Sequence, residues 1–427
     1  MSQQEELLER SGNSVTMPSR SWYGDVELVL PFPAEWELHV LPPRDAPKLN
    51  AAAIEAAFAN PIGTQRIAEL ARGKHSAAIV VDDISRPTPA AKLIPYVLRE
   101  LEGAGVPHDE IRFVVGGGSH RPQTQQELEK KLGEDVVAEY FTTTHDFMAG
   151  DLRGMGNLPD GTPLYFHPVV ADAEFKMTVG GIYPHGAVGF GGGSKLILPG
   201  VSGFATMFHF HTFYPMRGQA NIERQGDVPD HRDVSEEAAR VLGLDVVVNA
   251  VINGQREIAG LFVGDFIQAQ RAGAQFALKI YGTEIPEDIR GEADLVVVNA
   301  YPLDSDPIQI GKAMWPCKYF EKAYTAVVNP AVDGICYHGL IDRIDWLRFD
   351  AQRQARQPMD DPEPKLDRRD QMLIWSENFP VHDFPRWNPN NILVRKWDTV
   401  LDLLRPALPE RAKVAVFPVS GIQVLAV

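Results

Sequence analysis

The chain has 427 residues, 44% hydrophobic and 23% charged, with a formal net charge of −16. It is too long for one ordinary core, and its composition is that of a globular protein of two domains. The acidic balance argues against a general nucleic-acid binder, which needs clustered Lys and Arg; a few local cations could still hold a small anion in a cleft.

The first residues, MSQQEELLERSGNSV, have no basic stretch followed by an apolar run. No apolar segment approaches the roughly 20 residues needed to cross a bilayer. The expectation is a cytoplasmic protein with no membrane or nucleic-acid partner. Two short strands are expected at 25–32 (DVELVLPF) and 36–41 (WELHVL). A repeating strand, turn and amphipathic helix follows. Residues 76–81 (SAAIVV) form a buried strand, and 91–103 have helical spacing with Leu93, Ile94, Val97, Leu98 and Leu101 on one face. Residues 111–115 (IRFVV) are the next strand, and 124–132 a polar helix. Strands at 176–179 and 245–250 (DVVVNA) continue the series. A long helix over 265–279 is the expected connector to a second α/β unit, which opens with strands at 294–300 (DLVVVNA) and 325–328. Residues 350–369 read as an exposed, Pro-containing loop, and 413–419 (KVAVFPV) as a strand returning to the first sheet. The expected fold class is therefore α/β: two domains with mainly parallel sheets and an active-site cleft between them. The expected boundaries are 1–270 plus about 410–427 for a cofactor-binding and catalytic domain, and 280–409 for a domain closing over the substrate.

Ligands of open α/β sheets bind beyond the carboxyl ends of the strands, and four segments there carry chemistry. Asp82-Asp83-Ile84-Ser85-Arg86-Pro87-Thr88-Pro89 offers carboxylates, hydroxyls and a guanidinium fork suited to a phosphate or carboxylate, or else a helix cap with a Pro-stiffened turn. Gly116-Gly117-Gly118-Ser119-His120-Arg121 lets backbone approach a ligand closely and places His120 where a general acid or base is useful, although loop histidines are often incidental. The third is the long run from Gly180 through Tyr183, His185 and Gly191-Gly192-Gly193-Ser194-Lys195 to His209 and His211. It is not a phosphate-cradling Walker loop, because Lys195 is followed by Leu196 instead of Ser or Thr. A lysine in a partly dry pocket can lose its proton and become a nucleophile, and histidine is a common nickel or zinc ligand, or else the glycines form a flexible surface loop and the histidines are polar filler. The fourth, Asn299 to Lys312, places Gln309 and Lys312 on one helical face, as substrate groups or as an ordinary solvated helix start. Cys317 and Cys336 are too few for a disulfide framework, a Cys-based zinc site or an iron–sulfur centre. A metal here must rely on histidine, carboxylates or the ligands of a cofactor.

Taken together, DDISRPTP, GGGSHR, YPHGAVGFGGGSKLILPG, His211 and YPLDSDPIQIGK resemble the lactate racemase family, in its order and over residues 80–312. The resemblance implies a nickel pincer nucleotide (pyridinium-3-thioamide-5-thiocarboxylic acid mononucleotide) tethered to Lys195 through a thioamide. It implies nickel held by the cofactor's carbon and two sulfurs and by His211, with His209 a neighbouring competitor. His120 and His185 match the acid/base pair, and Arg86, Gln309 and Lys312 the groups around the substrate. Asp83, Ser85, Thr88, Gly192 and Gly193 match positions around the cofactor, with Asp83 contacting it or supporting Arg86. The implied reaction inverts C2 of a 2-hydroxy acid. One histidine takes the hydroxyl proton as the α-hydrogen leaves as hydride to the cofactor, and the planar 2-keto acid accepts hydride back on either face. The implied partners are a small 2-hydroxy acid or sugar-derived substrate and cofactor-assembly enzymes. Ile308 stands where lactate-specific relatives would carry tyrosine, so a sugar or sugar-acid 2-epimerase is an alternative; Tyr183, Phe208 and Trp315 could wall such a pocket or belong to the core. Other classes are a metallohydrolase using His185, His209 and His211, and a nickel-nucleotide binding protein without catalysis.

Overall fold

The computed structural model describes residues 13–334, 365–379 and 390–426. The N-terminal twelve residues, Cys336 and residues 350–364 of the expected loop lie outside them. The chain forms two units, Ala46–Ile280 and Met1–Asp45 together with Tyr281–Val427.

In the first unit the apolar strands alternate their side chains between two cores. Ile79 and Val81 face one with Phe113, Val115, Met177 and Val179, while Ala78 and Val80 face the other with Val114 and Val247. A strand buried on both faces has no room for a polar register, which is why these segments read as continuous Val/Ile/Ala runs. They assemble into a six-stranded sheet ordered Ile258–Gly264, Val246–Ile252, Phe175–Gly181, Ala77–Asp82, Ile111–Gly116, Phe141–Thr144. All neighbours are parallel except Ile258–Gly264, which runs antiparallel to Val246–Ile252. From Ala77–Asp82 the chain builds outward to one side first and to the other afterwards. The crevice between Ala77–Asp82 and Phe175–Gly181 is therefore a topological switch point, where open α/β sheets take their ligands. The expected polar helix is Gln125–Leu132, started by a capping box between Thr124 and Glu127.

The second unit repeats the device. Leu295, Val297, Val328 and Val416 point into one core, and Val296, Val298, Val327 and Phe417 into the other. Its sheet is ordered Ile392–Val394, Met372–Trp375, Tyr324–Val328, Leu295–Asn299, Lys413–Phe417, Glu37–Val40, all parallel. This corrects two expectations. Lys413–Phe417 pairs with Leu295–Asn299 and does not return to the first sheet. Glu37–Val40 pairs with Lys413–Phe417, so the N-terminal segment belongs to this unit and not to a domain spanning 1–270. The reason is an otherwise open edge: Lys413–Phe417 has unused ladder groups that the four-residue strand satisfies. The connector helix is Gln268–Tyr281, ending where the two units divide.

Candidate active site

The polar residues of the first unit collect at the carboxyl ends of its parallel strands. Beyond Ala77–Asp82, Asp83 Oδ1 accepts from Ser85 Oγ (2.7 Å), and Asp83 Oδ2 lies 2.5 Å from His120 Nδ1. Both side chains are buried, Asp83 at 3% exposure and His120 at 5%. Burial pushes the Asp83 carboxyl up, but the His120 interaction, Arg86 and the Ser85 hydroxyl together outweigh it and hold the carboxyl well below its usual range. Burial, with Arg86 and Lys195 adding to it, pulls His120 below its ordinary value against the opposing pull of Asp83. The stable pairing is thus carboxylate with neutral imidazole. Nδ1–H donates to Asp83, and the lone pair is left on Nε2, the arrangement of an oriented general base. Asp83 and Ser85, expected around the cofactor, both reach His120 here, and the Arg86 charge also acts on Asp83. Arg86 Nη1 donates to Ser85 Oγ (3.2 Å).

Thr88 is likewise turned inward. It is fully buried, its hydroxyl donates to Asp82 Oδ2 (2.5 Å), and it lies 2.9 Å from the Tyr183 hydroxyl. Asp82 also takes Lys131 Nζ at 2.6 Å and the Gly181 N–H at 3.0 Å. Lys131, with no exposed surface, donates to the carbonyls of Arg86 and Thr88 as well, so it binds the DDISRPTP turn together from beneath. Tyr183, offered as a pocket wall or as core, is core at 3% exposure.

His185 sits on a short hairpin, Pro184–His185 paired with Gly189–Phe190, whose second strand runs directly into Gly191–Lys195. The Ala187 N–H donates to His185 Nδ1 (3.2 Å), which places the proton of a neutral ring on Nε2. His120 and His185 are therefore fixed in opposite tautomers, one presenting a lone pair at Nε2 and the other an N–H.

Lys195 belongs to the 3₁₀ turn Gly193–Leu196. Desolvation first, then the Arg86 and Arg232 charges, bring its amine from the ordinary 10.5 down to about 7, against the opposing pull of Asp83 and Asp82. Its own charge in turn lowers both His120 and His211, which places the three groups in one electrostatic neighbourhood. His211 lies on the helix Phe204–Phe213, where its Nδ1 donates to the Met207 carbonyl (2.8 Å) and so presents Nε2. His209 instead packs at a tilt against Phe213, with ring centroids 4.7 Å apart and ring planes 52° apart.

Gly192 and Gly193 adopt φ of +73° and +60°. A Cβ on Gly192 would sit 2.7 Å from Asn249 Oδ1, and one on Gly193 2.9 Å from the Phe266 carbonyl. Backbone conformation and close packing both require glycine here. Asn249 Oδ1 accepts the Gly193 N–H (2.9 Å), while its buried Nδ2 has no hydrogen-bond partner among the described residues.

Arg232 was not among the expected residues. Fully buried on the helix His231–Leu242, it donates to the carbonyls of Val188 (3.4 Å), Phe190, Gly191 (3.4 Å) and Gly192 (3.1 Å), and to Ser194 Oγ (3.3 Å). Burial, opposed by Glu236, brings even this guanidinium down to about 9. The residue holds the glycine-rich run in shape by satisfying its inward carbonyls. Arg232→Met is accordingly expected to destabilise the protein by about 3–5 kcal/mol, since several buried acceptors lose their donor together. Urea denaturation checks this; a loss below about 1 kcal/mol would remove Arg232 from that role.

In the second unit Lys312 Nζ donates to Gln309 Oε1 (2.5 Å), so the two expected substrate groups are paired. Asp304 and Asp306 of the same motif are structural. Asp304 accepts the Arg20 and Ser21 N–H groups, and Asp306 caps the turn Pro307–Gln309 through the Ile308 N–H.

Residues 23–223 match the Lactate racemase N-terminal domain. Lactate racemase of Lactiplantibacillus plantarum is 32% identical over 309 residues, covering 69% of this chain and 70% of that protein. The chain belongs to the lactate racemase family. Lactate racemase of Thermoanaerobacterium thermosaccharolyticum is 31% identical over 265 residues, 61% of each chain. The lactate racemase apoprotein structure from that organism matches with a TM-score of 0.70 at 22% identity, covering 96% of this chain and 99% of its own. A Thermotoga maritima protein matches at 0.57 and 15% identity, covering 84% and 97%. These structural likenesses carry the fold, and the sequence relatives make the chain an isomerase of the racemase type. Among the described residues no helix is long and apolar enough to cross a membrane.

Proposed function

We propose that this racemase inverts the hydroxyl-bearing C2 of a 2-hydroxy acid, using a nickel pincer nucleotide tethered to Lys195 and held at nickel by His211. The observation that carries the reading is the Lys195 amine, desolvated to a value near neutrality beside His120 and His211. An amine half unprotonated near pH 7 suits acyl or thioacyl attachment, which an ordinary lysine resists. The residues fit the group in two further respects. His211 has its Nδ1 anchored to a carbonyl in the manner of an oriented metal ligand, and Asn249 Nδ2 is a buried donor awaiting an acceptor beside Gly192 and Gly193.

When bound, the nucleotide supplies the hydride-accepting centre and the remaining donors to nickel. The protein moves the proton. His120 Nε2 takes the hydroxyl proton, and the Asp83 carboxylate stabilises the imidazolium that results. His185, presenting Nε2–H, serves the opposite hand of the substrate. Arg86, whose positive charge already acts on Asp83, His120 and Lys195, neutralises the substrate carboxylate. Gln309 and Lys312 are assigned to substrate as well. Lactate is the first substrate to test, because it is what the named relatives act on. Ile308 in place of tyrosine leaves other 2-hydroxy acids and sugar acids open. The reading requires cofactor-assembly enzymes as partners and places the protein in the cytoplasm.

Racemisation in D₂O tests it. Return of the same hydride predicts that the inverted product keeps protium at C2. Deuterium incorporated at C2 at the rate of inversion would instead show carbon deprotonation and contradict the proposal.

A further inference from the structure

We propose that His231 is a second nitrogen donor beside His211, making this face of the first unit a two-histidine site for a divalent metal of the nickel or zinc type. The inference rests on the assignment of His211 as the metal ligand and extends it to a residue that has had no role so far.

His231 opens the helix His231–Leu242 and is 1% exposed. Its Nδ1 donates to the Pro215 carbonyl (2.6 Å), which fixes the tautomer and leaves the lone pair on Nε2. That Nε2 is buried and has no hydrogen-bond partner among the described residues. A buried acceptor left bare costs about 1–3 kcal/mol, so its persistence calls for something to complete it.

His211 has the same construction. Its Nδ1 donates to the Met207 carbonyl at 2.8 Å, again leaving Nε2 as the donor atom. Anchoring the far ring nitrogen on a backbone carbonyl is the usual way a protein orients a metal-ligating imidazole. Here it occurs twice on neighbouring rings, whose centroids lie 5.9 Å apart at 62°. With a metal–nitrogen bond of about 2.0–2.1 Å and a ring radius of about 1.2 Å, two imidazoles sharing one ion have centroids about 5–6.4 Å apart at tetrahedral or wider angles. The observed spacing falls inside that interval without any rearrangement. Phe210 packs edge-on against both rings, at 5.0 Å from His211 and 4.4 Å from His231, which holds their mutual orientation. Among the described residues no three His, Cys, Asp or Glu side chains converge on one point. An ion at this pair therefore takes its other donors from water or from a bound group.

The test is calorimetric titration of Ni²⁺ alone into the full-length protein, free of any affinity tag and made without cofactor-assembly enzymes. It compares the unsubstituted protein with His211→Ala, His231→Asn and His209→Ala. Asparagine at 231 keeps a donor for the Pro215 carbonyl and removes Nε2, so loss of binding is separable from loss of fold, which a thermal melt monitors. The proposal expects one nickel site, weakened at least about tenfold by His211→Ala and by His231→Asn and unchanged by His209→Ala. Unaltered nickel affinity in a folded His231→Asn overturns it, while a loss confined to His211→Ala leaves the single-histidine assignment standing. If neither substitution weakens binding, both assignments fall.

Discussion

His120→Ala is expected to lower kcat of the cofactor-loaded enzyme by about 10²–10⁴-fold with KM changed only a few-fold, the loss typical of removing a positioned general base. The expectation follows from the Asp83–His120 pair, buried together at 2.5 Å with the imidazole lone pair directed to Nε2. Asp83→Asn separates orientation from base strength. An amide can donate to Nδ1 and reverse the tautomer, so Asp83→Asn should approach the His120→Ala defect although the base is still present. The pH dependence has a definite sign. Because burial holds His120 below its ordinary 6.5, the neutral base persists below that value, and the acidic limb of kcat/KM should lie under pH 6.5. Initial rates from pH 4.5 to 8.5 check both points. A full-rate Asp83→Asn, or an acidic limb at or above 6.5, would remove the pair from the proton transfer.

Lys195→Met is expected to abolish turnover outright, because the other buried amine of the site, Lys131, is already held by Asp82 and by the Arg86 and Thr88 carbonyls. In the unloaded protein the amine's reactivity toward acylating reagents should rise through about pH 7, whereas surface lysines near the ordinary 10.5 remain protonated there. At pH 7 that difference is about three orders of magnitude in the unprotonated fraction. Lys195→Arg should be as inactive as Lys195→Met, since a guanidinium stays charged and cannot be tethered.

Much of this is legible in the sequence, for a physical reason. Strands buried on both faces announce themselves as apolar runs, and the residues after them must lie at a sheet end. Asp83, His120 and Lys195 were found that way. What was not legible depends on partners far away in sequence. Glu37–Val40 belongs with Lys413–Phe417 because of a ladder across more than 370 positions, and no local periodicity encodes that pairing. Phe141–Thr144 is a polar edge strand, FTTT, and Ile258–Gly264 lacks a clean alternation, so neither stands out. Arg232 lies in HRDVSEEAARVL, which reads as a capped, solvated helix; only the packed carbonyls of residues 188–192 reveal why a guanidinium is buried there. Asp83, Ser85 and Thr88 were found as a cluster, yet which of them faces inward is set by His120, Asp82 and Tyr183, none of which is settled by the spacing of the motif.

The covalent state of Lys195 is the most direct measure of the account. Protein produced together with the cofactor-assembly enzymes and nickel should be digested and mapped by mass spectrometry. The peptide containing Lys195 is expected to carry the mass of the pincer nucleotide, in proportion to the specific racemase activity of the preparation, and Lys195→Met to carry none. A fully active preparation with an unmodified Lys195 would contradict the account.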